Sequence, residues 1–188
     1  DIKIGYYGRP LDPSKPDDPE DEQAFAYPAY VVLLLAPTVK LSFPVVQRIT
    51  NVFFWLLTIA SMWLWLKALN WKPSFRLVLI FVILTMGSVP VVQGLKHQQL
   101  SLLVAGLLAA ACAAVVSGYL AIAGVLLAIS TIKPQLAWLP VLWLLAWVVR
   151  DWRKRQRFAW AFGATMAVLL LGAEIILPGW LRRFVTAL

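Results

Sequence analysis

Residues 119–149 read YLAIAGVLLAISTIKPQLAWLPVLWLLAWVV, an apolar run in which Lys133 is the only charge. A run of that length belongs in a bilayer. A lysine at bilayer depth costs about 3 kcal/mol on insertion scales, so it generally has a task and a partner. Pro134 comes next, and a proline deep in an apolar run breaks a helix or takes its first position. The pattern predicts two short helices meeting at a charged corner, which is the first place to look for function.

The rest of the chain agrees with a membrane setting. Its 188 residues are 61% hydrophobic and include 10 tryptophans, and the mean hydropathy is +0.78. The expected fold is all-α, a polytopic helical membrane protein. Every acid except Asp151 and Glu174 lies in residues 1–22 (Asp1, Asp12, Asp17, Asp18, Glu20, Asp21, Glu22), while the formal net charge is +8. The excess of bases predicts contact with anionic lipid or lipid phosphate. No basic patch interleaved with aromatics is present, so no nucleic-acid partner is expected. Cys112 is the only cysteine. It cannot form an internal disulfide and reads as a small core residue.

Two regions follow from the composition. Residues 1–28 form an acidic, proline-rich extracytoplasmic segment, which reads as solvated chain rather than as a source of catalytic carboxylates. Residues 29–188 form a transmembrane helical domain. Apolar runs predict about six spans, at about 45–66, 76–92, 98–116, 119–132, 135–149 and 158–177. The fourth and fifth are short for a hydrocarbon core of about 30 Å at about 1.5 Å per residue. Their junction must lie below the membrane surface or be covered by neighbours. Residues 29–39 (AYVVLLLAPTV) are too short to cross and read as a re-entrant or interfacial helix. Gly106, Ala110 and Ala114 repeat a small residue every fourth position, which suits close helix contact.

Basic loops set the orientation. Arg150, Arg153, Lys154, Arg155 and Arg157 cluster between the last two spans, so that loop is expected in the cytoplasm, anchored on anionic lipid. Counting back puts the turn at 117–118 inside, residues 93–97 outside, the Lys67–Lys72–Arg76 loop inside and the acidic segment outside. Lys133 then faces outside. Arg182 and Arg183 run against this alternation. The expected location is a bacterial-type plasma membrane, crossed several times.

That topology gathers polar groups on one side: Lys96, His97, Gln98 and Gln99 before the third span, Lys133 before the fifth, Glu174 near the end of the sixth, and Tyr27. Two helix starts point the same way, each with free N–H groups and a positive dipole end. With Lys133 and Lys96 they suit a phosphate at headgroup depth, carried on a lipid that enters sideways. The alternative is that Lys133 snorkels to water or pairs with Glu174 and only holds the helices together. His97 is the only histidine and has no ligand cluster beside it, so no metal site is expected. It either hydrogen-bonds phosphate and moves a proton or caps its helix. Gln98 and Gln99 either meet sugar hydroxyls or satisfy the helix start. No cofactor is expected.

Three strings carry a resemblance. AFAYPAYVVLLLAPTVKLSFPVVQRITNVFFWLL resembles the F-x-YPP…P…LP segment of glycosyltransferase family 87. HQQLSLLVAGLL resembles its GQxN-LL helix start, and GYLAIAGVLLAISTIKPQLAWLPVLWLL its AG-x-L-L-A-x-x-x-x-KP-x-x-x-L-P stretch, which a basic loop follows. Order and spacing match over most of residues 24–157. Members are C-type membrane glycosyltransferases that take mannose from a polyprenyl-phosphate donor. The resemblance therefore implies a lipid-linked sugar donor. Lys133, with Lys96 or His97, would bind the donor phosphate, and Gln99 and Tyr27 would bind sugar or acceptor.

Two departures stand out. Ala29 replaces the second proline of YPP, and Gln98, Gln99, Leu100 and Ser101 stand where the family has Gly-Gln-x-Asn. Gln99 carries over and the asparagine does not. The family's catalytic aspartate lies in an outer loop after its first helix, which would precede Asp1. The expected general base is thus missing from this sequence, and the catalytic residue is unknown. Either the sequence is part of a longer protein or catalysis has been lost. The second case would make it an inactive subunit or scaffold among other membrane subunits. A transporter half is a third reading, which no internal repeat supports.

Overall fold

The computed structural model describes residues 27–186. The acidic segment expected over 1–28 lies outside them apart from Tyr27 and Pro28. The described residues form nine α-helices and no strand: α1 (Val31–Leu35), α2 (Phe43–Ala68), α3 (Phe75–Met86), α4 (Val89–Lys96), α5 (Leu100–Val116), α6 (Leu120–Ser130), α7 (Pro134–Arg150), α8 (Trp152–Ile176) and α9 (Trp180–Thr186). A 3₁₀ turn at Ala36–Thr38 extends α1, so the short element expected at 29–39 is present.

Two helices are long and apolar enough to cross a membrane, Phe43–Ala68 and Trp152–Ile176. A third crossing is possible where α3 and α4 run on through a 55° bend. Ser88 is extended there and Pro90 opens α4, so the single helix expected at about 76–92 breaks in two. Helices α5, α6 and α7 have 17, 11 and 17 residues, or about 25, 16 and 25 Å. The length criterion therefore supports two or three spans where the apolar runs suggested about six. The outer faces are largely exposed hydrophobics, from Trp63 and Trp138 to Leu171 and Ile175, as lipid contact requires.

Helix α8 begins at Trp152, with Asp151 at its N-cap. The expected basic loop is thus the first turns of a helix: Arg153, Lys154, Arg155 and Arg157 are helical, and only Asp151 separates α7 from α8. Charge density suggested a loop, but packing of the following apolar face extends the helix through it.

Two clusters form the core. One joins Ala111, Ala114, Ala123, Leu127, Leu144, Val148 and Phe158 at the basic end of α5–α8. The other joins Tyr30, Val31, Val104, Ile132, Ala173 and Trp180 at the opposite end. Small residues allow the closest approaches. A Cβ on Gly124 would strike the Phe158 carbonyl, and one on Gly106 would lie 2.6 Å from a Leu57 methyl. Gly106 therefore makes the close contact that its spacing with Ala110 and Ala114 predicts. Cys112 is half-buried rather than fully buried.

Gln98, just before α5, donates from Nε2 to the Gln47 carbonyl at 2.8 Å, so α2 and α5 start together. The α6–α7 junction and the end of α8 share the Tyr30 cluster with α5.

Candidate functional site

The α6–α7 junction is built by its sequence. Residues before proline are driven out of the helical region, and Lys133 adopts φ −127°, ψ 82° with Pro134 beginning α7. Helix α6 therefore stops at Ser130. Its last turn closes on itself: Ser130 donates to the Leu127 carbonyl at 2.7 Å and Thr131 to the Ala128 carbonyl at 2.6 Å. These bonds satisfy carbonyls that would otherwise face an apolar surround.

The junction is tied down from outside. Tyr30 is buried, and its hydroxyl donates to the Thr131 carbonyl at 2.8 Å while lying 2.9 Å from Thr131 Oγ1. Trp180 packs edge-on against Tyr30 with ring centroids 6.1 Å apart. The short α1 thus has a clear task, because it carries the phenol that holds the corner. Sequence reasoning named Tyr27 and missed Tyr30. Thr131 immediately before Ile132 and Lys133 was the available signal, a polar residue in apolar surroundings that needs a partner.

Depth follows from the neighbouring helix. Thr131 Oγ1 lies 3.4 Å from Met166 Sδ. Met166 stands ten residues before the end of α8 at Ile176, or about 15 Å along its axis. The corner is therefore recessed below the C-terminal end of α8.

Lys133 is half-buried, and its Nζ donates to Ser101 Oγ at 2.6 Å. The ammonium also stands 5.9 Å from the centroid of the Tyr27 ring, within the range of a cation–π contact. Pairing with Glu174 does not occur: Glu174 Oε1 accepts the Gly179 N–H at 2.6 Å. No carboxylate among the described residues is paired with Lys133. An ammonium has three donors, and one goes to Ser101, so two can meet an anion. Ser101 is the residue that the resemblance sets against an asparagine, and it is the partner that sequence reasoning missed. Its hydroxyl accepts from lysine and keeps its own proton to donate.

The Lys133–Ser101 bond brings two helix starts together. Ser101 is in the first turn of α5 and Lys133 is the N-cap of α7, and neither N-terminus has a side-chain cap. Leu102 and Leu136 N–H bond back to Gln99 and Lys133, which leaves the N–H groups of Leu100, Ser101 and Gln135, with the two dipole ends, to add to the lysine's charge.

The other expected residues are not bonded to this pair among the described residues. Lys96 ends α4, His97 is its C-cap, and both are exposed. Lys96 suits a helix C-terminus. Gln98 takes φ 49° to turn the chain into α5, and Gln99 is an exposed N-cap without a capping bond. Among the described residues, no hydrogen bond or ion pair joins Lys96, His97 or Gln99 to Lys133. Of the expected set, the structure brings together Lys133 and Tyr27. No group of three or more His, Cys, Asp or Glu that could hold a metal occurs among the described residues.

In a comparison with protein families, residues 25–188 match the family described as glycosyltransferase family 87. No curated protein and no solved structure matches the chain.

Proposed function

The chain belongs to glycosyltransferase family 87, and on that premise we propose that it transfers a sugar, mannose, from a polyprenyl-phosphate donor at the extracytoplasmic face. The observation that carries this reading is the recessed Lys133 ammonium, bonded to Ser101 between two helix starts. A phosphate on a polyprenyl chain reaches such a recess sideways from the bilayer. A nucleotide sugar would have to bring its base and ribose to the same depth.

In the proposed reaction the acceptor hydroxyl attacks the anomeric carbon. The bond from that carbon to the phosphate oxygen breaks, and polyprenyl phosphate leaves with the electron pair. One in-line displacement inverts the anomeric configuration. Lys133, Ser101 and the N–H groups of α5 and α7 stabilise charge on the departing phosphate, an effect that grows in the transition state. Tyr27, stacked near the ammonium, lines the side where sugar or acceptor would sit. The acceptor proton goes to a base that no described residue supplies. Asp151 lies at the opposite end, and Glu174 is engaged with Gly179.

The test offers the complete gene product, in proteoliposomes, radiolabelled mannose as polyprenyl phosphate or as a nucleotide sugar. Transfer is expected from the polyprenyl donor only, with inverted configuration in the product. Transfer from the nucleotide sugar alone, or retention of configuration, refutes the proposal. Lack of transfer from either favours the non-catalytic scaffold.

A further inference from the structure

A cavity at the other end of the molecule has no part in the reaction proposed above. Its volume is about 640 Å³, and it opens between the start of α6 (Tyr119, Ile122) and the first turns of α8 (Arg153, Lys154, Arg157, Trp160). We propose that this cleft is a binding site for the phosphodiester of an anionic phospholipid.

Charge carries the argument. Arg153 and Arg157 are four apart on α8, and like charges at that spacing repel. Both sit near a helix N-terminus, where the dipole is already positive. The start of α6 adds a second positive end, since its N-cap Tyr119 makes no side-chain capping bond. The other bases of the cluster are otherwise engaged. Arg155 donates to the Trp147 carbonyl and stacks 3.9 Å over its ring, and Arg150 closes α7, where a cation is favoured. Only Asp151 offsets the group: it reaches Lys154 at 3.6 Å, and the sole other described carboxylate, Glu174, is at the far end. Two guanidinium groups, an ammonium and two helix starts thus line one cleft with a single carboxylate in reach among the described residues. A bound anion removes this conflict.

The aromatics indicate where the anion comes from. Trp152 and Trp160 are exposed and pack edge-on at 6.2 Å, and Tyr119 is exposed on the facing wall. Amphipathic rings of this kind mark the headgroup level. Below them the cleft continues along Ile122, which is exposed and apolar. A lipid would therefore place its phosphate at the cations and its chains against Ile122 and Trp160. Free phosphate shares the first half of that recognition and lacks the second.

The probe is phosphatidylglycerol, in competition with phosphatidylcholine. Protein is purified from an equimolar mixture of the two, washed in detergent, and its retained lipid is measured by mass spectrometry. Wild type is expected to keep phosphatidylglycerol in preference by about tenfold or more. The Arg153→Gln/Lys154→Gln/Arg157→Gln variant is expected to lose the preference. Arg153→Lys/Arg157→Lys keeps most of it, and so does Lys67→Gln/Lys72→Gln/Arg76→Gln, which removes the other basic loop. Should the triple variant fold poorly, Arg157→Gln alone is expected to lower the preference about fivefold. An unchanged preference in the glutamine variants of the cleft, or equal loss in the Lys67 set, overturns the site. Displacement of the retained lipid by inorganic phosphate in the wash overturns the lipid as its source.

Discussion

Replacing Lys133 by methionine separates a phosphate holder from a structural lysine, because the two roles predict opposite signs for stability. The side chain is half-buried and bonded at 2.6 Å to Ser101. Removing a lysine from bilayer depth recovers about 2.5–3.5 kcal/mol on insertion scales. Against this stands one hydrogen bond from a charged donor, about 1.5–3 kcal/mol. The net effect on folding is near zero or stabilising, so the thermal midpoint in detergent holds or rises. Activity behaves otherwise. An ammonium about 4 Å from a phosphate contributes of the order of 4 kcal/mol at the effective dielectric near a protein surface. Deleting a single donor that stabilises transition-state charge typically costs about 10²- to 10³-fold. Transfer from polyprenyl-phosphate mannose, assayed in proteoliposomes at saturating acceptor, should fall by about that factor in kcat/KM. The mechanism proposed here is refuted if Lys133→Met transfers at within about threefold of wild type. A clear drop in thermal midpoint with retained turnover would make the lysine a structural strut instead.

Other substitutions test the surroundings of that corner. Tyr30→Phe removes the hydroxyl bonded to Thr131 and should cost about 1 kcal/mol. Turnover should drop as Lys133 loses its fixed position, and an unchanged thermal midpoint would show that the tether is not needed. Glu174→Gln retains an acceptor for Gly179 and should leave transfer within about twofold, whereas a collapse of turnover would identify Glu174 as the base. Gly124→Ala pushes a methyl against the Phe158 backbone and should destabilise by about 1–3 kcal/mol. Gly163→Ala meets open space and should stabilise by up to about 1 kcal/mol. Equal shifts from these two glycine variants, in thermal unfolding, would show that α6 and α8 do not pack as described.

The parts legible in the sequence were those set by hydropathy. The helix Phe43–Ala68 was expected at about 45–66, and the short α1 from its length and prolines. The corner at Lys133–Pro134 followed from proline sterics and the isolated charge. Of three features that hydropathy hid, one is local and two depend on packing. The 55° bend between α3 and α4 needs a Ser-Val-Pro sequence to break an otherwise continuous apolar run. The start of α8 looked like a loop because a string of cations has no inward face until Trp147 and the α6 start are set against it. Ser101 is an ordinary serine in the chain, and only the approach of α5 to α7 makes it the partner of Lys133. Lys96 and His97 stand before the turn at Gln98 that leads into the same helix, and no hydrogen bond joins them to Lys133 among the described residues.

The short helices and the recessed charge require one another. Helix α6 has 11 residues, about 16 Å, far less than a hydrocarbon core of about 30 Å. Ending it at that depth exposes carbonyls and N–H groups where lipid cannot satisfy them. The fold meets that demand locally with Ser130, Thr131 and Tyr30, all bonded to backbone at the corner. On the other side of the junction the N–H groups at the starts of α5 and α7 have no side-chain caps. The chain has thus capped the carbonyl side of the break and left the positive side open, next to a lysine with unused donors. A break that served packing alone would gain from capping both sides. Leaving the positive side open is consistent with an anion as the group that completes the corner.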